Sequence, residues 1–146
     1  MLTRLYIRHY AIIPELDISF GQGLTIITGE TGAGKSILLG ALGLALGKRA
    51  ESKVVPDDAD RCIVEATFQL DQDDLAPLFE AEELDFDRTL IFRREINAAG
   101  RSRSFINDTP VSLKLVQDIA GTIIELHHQH DHLALQSREY QLKVLD

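Results

Sequence analysis

The sequence predicts an α/β fold in which a sheet core is joined to a more antiparallel β layer. The segment Leu24–Thr28 is short, β-branched and almost uniformly apolar, which is typical of a strand covered on both faces. A glycine-rich segment follows it at once, and Ser36–Leu46 then has the leucine and alanine content of a helix. Segments with alternating apolar residues lie before and after this strand–loop–helix unit, and they predict the antiparallel layer.

Alternation of apolar and polar residues predicts the strands of that layer. The predicted strands are Leu2–Ile7, Ile12–Phe20, Arg61–Leu70, Thr89–Ile96 and Arg101–Asn107. The last two are joined by a hairpin connection at Asn97–Gly100, and a turn at Asn107–Pro110 follows them.

The remaining elements are predicted from helical spacing, caps and apolar runs. An acidic short helix at Gln72–Glu83 has Asp71 or Asp73 as its expected N-cap. A second helix, Ser112–Ala120, ends at Gly121 and leads into a core-type strand. The last segments are that strand, Thr122–Leu126, and the start of an amphipathic helix, Ser137–Asp146.

Composition excludes several classes of protein. No apolar run approaches the roughly 20 residues that cross a bilayer, and the first residues do not resemble a secretory signal. The single cysteine, Cys62, excludes an internal disulfide and suits a reducing, cytoplasmic setting, where we interpret it as a small apolar filler. The net charge of −8 excludes a protein that binds DNA over its whole surface, because such a protein would be basic.

The segment Gly29–Ser36 matches the phosphate-binding pattern G-x-x-x-x-G-K-[ST] at every fixed position. Its glycines let backbone N–H groups approach phosphate oxygens, and the following helix adds N–H donors and a partial positive charge. Lys35 would reach the β- and γ-phosphates, and the Ser36 hydroxyl would ligate Mg²⁺. The predicted ligands are therefore ATP and Mg²⁺, held by Gly29, Glu30, Thr31, Gly32, Ala33, Gly34, Lys35 and Ser36.

The motif predicts binding of a nucleotide but not its turnover. Hydrolysis needs an acidic residue, usually at the end of another strand, that holds Mg²⁺ and positions water. Glu125, after Ile123 and Ile124, is the nearest candidate, but we interpret it as structural because it lies within the predicted strand.

Four segments in order resemble the bacterial RecN family, which consists of DNA-repair ATPases related to the SMC proteins. They are the phosphate loop T-G-E-T-G-A-G-K-S-I-L-L (28–39), G-K-R-A (47–50), G-R-S-R-S-F-I-N (100–107) and H-H-Q-H-D-H (127–132). The chain departs from the family pattern at His128 and Asp108, where the family has glycine, and at Asp131, where it has glutamate.

The resemblance implies roles for two further residues. Gln129 would contact Mg²⁺ and the attacking water and sense the γ-phosphate, so that it joins Lys35 as a catalytic residue and Ser36 as a metal contact. Arg8 would lie against the base, ribose or α-phosphate of the nucleotide. The alternatives are a loop glutamine without a ligand and a surface arginine in a turn.

The resemblance also implies an architecture. Residues 1–136 would form the N-terminal lobe of an ABC/SMC-type ATPase head, with a mixed sheet and an antiparallel β layer, and 137–146 would begin a helix leading to a coiled coil. The expected partners are the C-terminal lobe and coiled coil of the same protein, a second head in a homodimer that sandwiches ATP, and DNA. We expect a bacterial, cytoplasmic, nucleoid-associated protein without membrane contact. The chain lacks the Walker B, signature and switch elements, so we expect weak nucleotide binding and no hydrolysis by it alone.

An arginine cluster and a histidine cluster have alternative interpretations, and two other classes of protein remain as alternatives to an ATPase head. Arg93, Arg94, Arg101 and Arg103 would contact the DNA backbone or, alternatively, protect a solvated sheet edge. The histidines of 127–132 are spaced too tightly for a standard structural zinc site.

A stand-alone P-loop kinase or GTPase would need an acceptor site or a guanine-reading segment, and neither is evident. A non-catalytic interaction module would retain the loop only as part of its fold.

Overall fold

The computed structural model describes residues 1–20, 32–50 and 54–125. Its strands are β1 (Leu2–Tyr10), β2 (Ile13–Ser19), β3 (Arg61–Gln69), β4 (Thr89–Asn97), β5 (Ser102–Ile106) and β6 (Thr109–Val111). Its helices are α1 (Gly32–Ala45), α2 (Ala76–Ala81) and α3, which covers 113–125. The predicted strand Leu24–Thr28 and the predicted helix Ser137–Asp146 lie outside the described residues.

The six strands form one sheet in the order β2-β1-β3-β4-β5-β6, and every neighbouring pair is antiparallel. This confirms the predicted antiparallel layer. The five predicted strands are all present, and β6 is additional. It arises because only Asn107 and Asp108 form the turn, with φ of 48° and 69°, while Thr109 already pairs with Ile106. Two consecutive positive φ values are typical of a tight two-residue hairpin.

The sheet has a core face and an outer face, because successive side chains of a strand point to opposite sides. Two rows of paired residues on the core face run across four strands: Leu5–Ala66–Phe92–Ile106 and Ile7–Val64–Arg94–Ser104. Helix α1 packs on this face through Ala41, Leu44 and Ala45, which are buried in the same cluster. The outer face carries the alternate residues, such as Tyr6, Glu65 and Arg93.

The predicted strand Thr122–Leu126 is wrong, because α3 continues through Gly121 to residue 125. Val116, Ile119, Ala120 and Ile123 are all buried, and their spacing is that of one helical face. Burial of that face outweighs the β-branched composition of the segment, since propensity is weaker than tertiary packing. A Cβ on Gly121 would contact nothing within 4 Å, so this glycine is a helical residue facing open space.

The expected cap of the acidic helix is also wrong. Helix α2 begins after Leu75 without any side-chain cap, and it is shorter than predicted. Asp73 instead accepts a hydrogen bond from Nε of Arg88 at 2.8 Å. Because this pair holds Asp73 beside the start of β4, its carboxylate is not available to the helix.

Candidate nucleotide site

The first turn of α1 contains the second half of the phosphate-binding motif. The helix begins at Gly32, so the backbone of Gly34, Lys35 and Ser36 lies in its first turns. That turn has no acidic residue, and Ser36 is exposed. In general, the N-terminal end of a helix favours an anion, because the helix dipole is positive there and the first N–H groups have no partner within the helix. The donors present therefore suit a phosphate group, and the Ser36 hydroxyl suits a hard cation such as Mg²⁺.

Several predicted site residues lie outside what the structure describes. Gly29, Glu30 and Thr31 precede the described part of α1, and Gln129 with its histidine neighbours follows the described part of α3. The side chains of Ala33 and Lys35 are also not described. The predicted contacts of these residues with nucleotide and Mg²⁺ stay predictions, as does the alternative metal site of 127–132.

The C-terminal end of α1 is closed by a glycine and by contacts from other elements. Gly47 has a φ of +105°, and Lys48 N donates to the Gly43 carbonyl at 2.9 Å, which together end the helix as predicted. Gly40 allows close approach to β1, since a Cβ there would lie 2.7 Å from the hydroxyl oxygen of Tyr10. A side chain at Gly40 would therefore require the Tyr10 hydroxyl to shift.

Arg94 is buried beneath α1 and binds its C-terminal end. Its side chain is on the core face of β4, with 4% of its surface exposed. Nη1 donates to the carbonyl oxygens of Leu44 at 3.0 Å and Lys48 at 2.9 Å, and Nε donates to Oγ of Ser102 at 3.0 Å. Burial lowers the pKa of Arg94, but arginine remains charged at any physiological pH.

Gln117 reaches the same helix end from α3. Its Nε2 donates to the carbonyl oxygen of Gly47 at 2.8 Å. The contact is close, because a Cβ on Gly47 would lie 2.6 Å from Cγ of Gln117. Two elements that are distant in sequence, β4 and α3, thus satisfy carbonyl groups at one end of the phosphate-binding helix.

Arg8 lies on the outer face of β1, one residue after the buried Ile7. It lines a pocket of about 210 Å³ together with His9, Asp60, Arg61 and Ile63. His9 has a φ of +54°, which marks an irregular end of the strand. The nucleotide contact of Arg8 stays a prediction.

The four arginines of the predicted DNA surface do not share one face. The prediction that Arg94 contacts DNA is wrong, because this side chain is buried beneath α1 and donates to the carbonyl oxygens of Leu44 and Lys48. Arg93 is on the outer face, 3.1 Å from Oε2 of Glu95 and 3.6 Å from Oε2 of Glu65, with its guanidinium 4.6 Å from the ring of Phe105. Arg101 and Arg103 are exposed at the β4–β5 hairpin.

Cys62 is buried on the core face with 1% of its surface exposed. Burial raises the pKa of its thiol to about 11, although the charge of Arg94 acts in the opposite direction. A thiol in this state is a poor nucleophile. This agrees with its interpretation as a small apolar filler.

Sequence reasoning missed the roles of Arg94 and Gln117. A signal for Arg94 was present, because it occupies the apolar phase of its strand between Phe92 and Ile96. A charged residue in that phase indicates a buried group with specific partners. Gln117 had no such signal, since a polar residue on an exposed helical position is ordinary.

A protein-family model described as an AAA domain matches residues 4–144. The chain is 45% identical over 147 residues to the DNA repair protein RecN of Vibrio cholerae and 43% identical over 150 residues to that of Haemophilus influenzae. All of this chain is covered in both cases, but it spans only 26% and 27% of those proteins.

The fold is similar to that of a solved structure from work on ATP-driven dimerization and DNA stimulated activation of SMC ATPases. The TM-score is 0.62 at 21% identity, covering 81% of this chain and 76% of that one. An SMC head domain from Thermotoga maritima gives a TM-score of 0.52 at 21% identity, covering 80% and 41%. The chain therefore belongs to the AAA domain family, is similar over its whole length to RecN proteins, and has a fold similar to that of an SMC head domain.

Proposed function

We propose that this chain is the ATP-binding lobe of a RecN-like protein that acts in recombinational repair of DNA double-strand breaks. The observation that carries the proposal is that α1 begins at Gly32, within the motif of Gly29–Ser36. Similarity over the whole chain to RecN proteins supports the repair role. In the proposed setting the protein works in the bacterial cytoplasm at the nucleoid.

In the proposed site each residue has one task. Backbone N–H groups from Gly29 to Ser36 hold the phosphates, and Lys35 binds the β- and γ-phosphates. Ser36 and Gln129 hold Mg²⁺, which neutralises phosphate charge when it is bound. Gln129 also orients the attacking water, and Arg8 binds the base, ribose or α-phosphate. The remaining catalytic groups come from a C-terminal lobe joined by a coiled coil and from a second head.

ATP binding would drive engagement of two heads in a homodimer. The solved SMC ATPase structure, whose description includes ATP-driven dimerization, supports this analogy at the level of fold. The arginines that remain candidates for DNA contact are Arg101 and Arg103, together with Arg93 on the outer face of β4. The alternatives, a stand-alone kinase or GTPase and a non-catalytic module, are not favoured by the similarity to RecN.

Isothermal titration of the full-length protein with ATP and with GTP, each with and without Mg²⁺, tests the proposal. We expect ATP binding that Mg²⁺ strengthens, and loss of at least tenfold in affinity with Lys35→Ala. Lys114→Ala is a matched control, because Lys114 is 83% exposed on α3. Preference for GTP would favour a GTPase, and absence of heat with either nucleotide would favour an interaction module.

A further inference from the structure

A groove of about 430 Å³ lies beside the first residues of β4, where β5 turns away from that strand. Its apolar lining includes Phe79 of α2 and Ile106 of β5, which are buried, and Ile91 of β4, which has 36% of its surface exposed. Ligand pockets in proteins commonly have volumes of about 300 to 1,000 Å³ and a largely apolar lining. The groove therefore has the size and the apolar surface to hold a large side chain.

The groove exists because of the way β5 ends. This strand pairs with β4 as far as Ile106, and the chain then reverses through Asn107 and Asp108 at positive φ. The Asn107 side chain takes over the hydrogen bonds of the adjoining β4 edge, since Oδ1 accepts from N of Ile91 at 2.8 Å and Nδ2 donates to the carbonyl of Thr89 at 3.3 Å. Because these backbone groups already have partners, an occupant would bind through side chains rather than by adding a strand.

Three exposed carboxylates also line the groove. Asp85 and Asp87 belong to the connection between α2 and β4, and Asp108 belongs to the β5–β6 turn. Asp87 accepts a hydrogen bond only from a neutral group, N of Thr89 at 2.8 Å, and Asp108 is 3.9 Å from Nη1 of Arg93, beyond hydrogen-bond range. No cationic side chain within the described part of the chain pairs with Asp85. We call this lined space the acidic groove.

The charge around the acidic groove restricts what can occupy it. The segment 71–87 has eight acidic residues and no basic one. Such a surface repels nucleic acid and anionic lipid, and it attracts cations. The carboxylates come from two separate segments, so a complementary occupant has positive charges on either side of an apolar group. A peptide with lysine or arginine flanking a large apolar side chain has this chemistry.

We propose that the acidic groove binds a basic segment of a partner protein, whose central apolar side chain packs on Phe79, Ile91 and Ile106. Burial of this side chain supplies most of the affinity, as it does for anchors in other interfaces. The carboxylates orient the segment and favour basic partners over acidic ones. The proposal is independent of the ATP site, because the groove is built from α2, β4 and the β5–β6 turn.

The test uses the full-length protein and a synthetic peptide with blocked ends, in which one phenylalanine lies between two pairs of lysines. Calorimetry measures its dissociation constant. One comparison peptide has alanine in place of phenylalanine, and another has glutamate in place of every lysine. We expect the alanine peptide to bind at least about tenfold more weakly, because the apolar anchor is lost. The glutamate peptide should not bind.

Two variants of the protein test the two parts of the groove. The triple variant Asp85→Asn, Asp87→Asn and Asp108→Asn removes the charges but keeps the acceptor oxygens, and asparagine tolerates the positive φ of position 108. It should weaken binding of the lysine–phenylalanine peptide about tenfold. Ile91→Thr keeps a β-branched side chain but reduces the apolar surface, and it should weaken binding about threefold.

Each variant has a matched control. Glu80→Gln, Glu82→Gln and Glu83→Gln together remove three charges from the same acidic segment, at exposed residues that do not line the groove. Ile12→Thr makes the apolar change at a residue that is 80% exposed between β1 and β2. Both controls should stay within about twofold of the parent affinity. Circular dichroism and urea denaturation check that every variant is folded.

The remaining outcomes would overturn the proposal. Absence of saturable binding to the parent protein up to about 1 mM peptide would mean that the groove is covered or does not bind such segments. Equal losses with the aspartate and glutamate triple variants would reduce the effect to net charge. Equal binding of the phenylalanine and alanine peptides would remove the apolar anchor, and this comparison decides the question even if a groove variant does not fold.

Discussion

Arg93 and Arg94 are neighbours in β4, but the two faces of the sheet surround them differently. Arg94 points to the core face and donates to the neutral carbonyl oxygens of Leu44 and Lys48 and to the hydroxyl of Ser102. Arg93 points to the outer face and lies among the carboxylates of Glu65, Glu95 and Asp108 and the ring of Phe105. One arginine thus joins a helix to the sheet, and the other balances charge within a partly buried group on the outer face.

The comparison shows that a cluster of like charges in a sequence is not one surface. The arginine-rich segment predicted a single cationic patch, and the alternation of β4 divides it. The difference between the faces predicts different costs of substitution. The costs to stability should decrease from the core face to the hairpin tip.

The largest effect is expected for Arg94→Met, which keeps the apolar stem but removes every donor. The free energy of unfolding should fall by about 3 to 4 kcal/mol, because carbonyl groups of Leu44 and Lys48 lose a charged partner in a buried site. Urea denaturation followed by circular dichroism measures it. A loss below about 1 kcal/mol would mean that water or another group replaces the guanidinium.

Cys62, also on the core face, should make the stability depend on pH. Its folded pKa of about 11 lies above its ordinary value of 9.0, so the unfolded chain loses the thiol proton first. The contribution is fully present below pH 9 and is lost as the pH rises toward 11. The loss of stability should reach about 2 kcal/mol at pH 11.

The pH effect is isolated by measuring unfolding of the parent and of Cys62→Ala from pH 8 to pH 11. The stability difference between the two proteins should shrink over that range, because alanine has no proton to lose. Native protein should also react slowly with a thiol reagent at pH 8. A constant difference, or fast labelling of native protein, would contradict a buried neutral thiol.

Arg93→Met on the outer face should cost only about 1 kcal/mol in urea denaturation. Its side chain is 30% exposed, and partly exposed ion pairs and cation–π contacts contribute little each. This variant is also the matched control for Arg94→Met. Equal losses for the two variants would remove the distinction between the faces.

The smallest effect on stability is expected for the double substitution Arg101→Ala and Arg103→Ala at the exposed hairpin. Unfolding should change by less than about 0.5 kcal/mol. If both arginines contact phosphates in the full-length protein, DNA affinity should fall and its salt dependence should decrease by about 2 in slope. Arg88→Ala is the control, because Arg88 is exposed elsewhere and paired with Asp73.

Those DNA measurements separate two views of the hairpin. Unchanged affinity with the double variant would leave Arg101 and Arg103 as charges that protect a solvated edge. A loss that Arg88→Ala reproduces would reflect net charge alone rather than a local contact.

Much of the fold was predictable because local patterns and tertiary packing agree. In β3 every second residue from Cys62 to Phe68 is apolar, and in β4 the same holds from Leu90 to Ile96 except at Arg94. The register pairs these positions on one face. Gly47 ended α1 as predicted because the positive φ needs glycine. The prediction of a strand at Thr122–Leu126 failed because Ile123 also continues the helical spacing of Val116 and Ile119. Local composition does not reveal which of the two patterns is buried in the fold.

The candidate site likewise has one part that was predictable from the sequence and one part that was not. The motif of Gly29–Ser36 is local, so its eight residues could be read directly from the chain. Near the other end of α1, hydrogen bonds join Arg94 to Leu44 across fifty positions and Gln117 to Gly47 across seventy. Hydrogen bonds over such separations leave no local pattern.

The sequence by itself determined the phosphate-binding motif, the antiparallel layer and the family resemblance, because each depends on short-range order of residue types. Only the tertiary structure decided which face each arginine occupies and which groups bind the C-terminal end of α1. The physical reason is that burial and hydrogen bonding depend on what packs opposite a residue. For Arg94 that is the end of a helix, and for Arg93 it is a row of carboxylates.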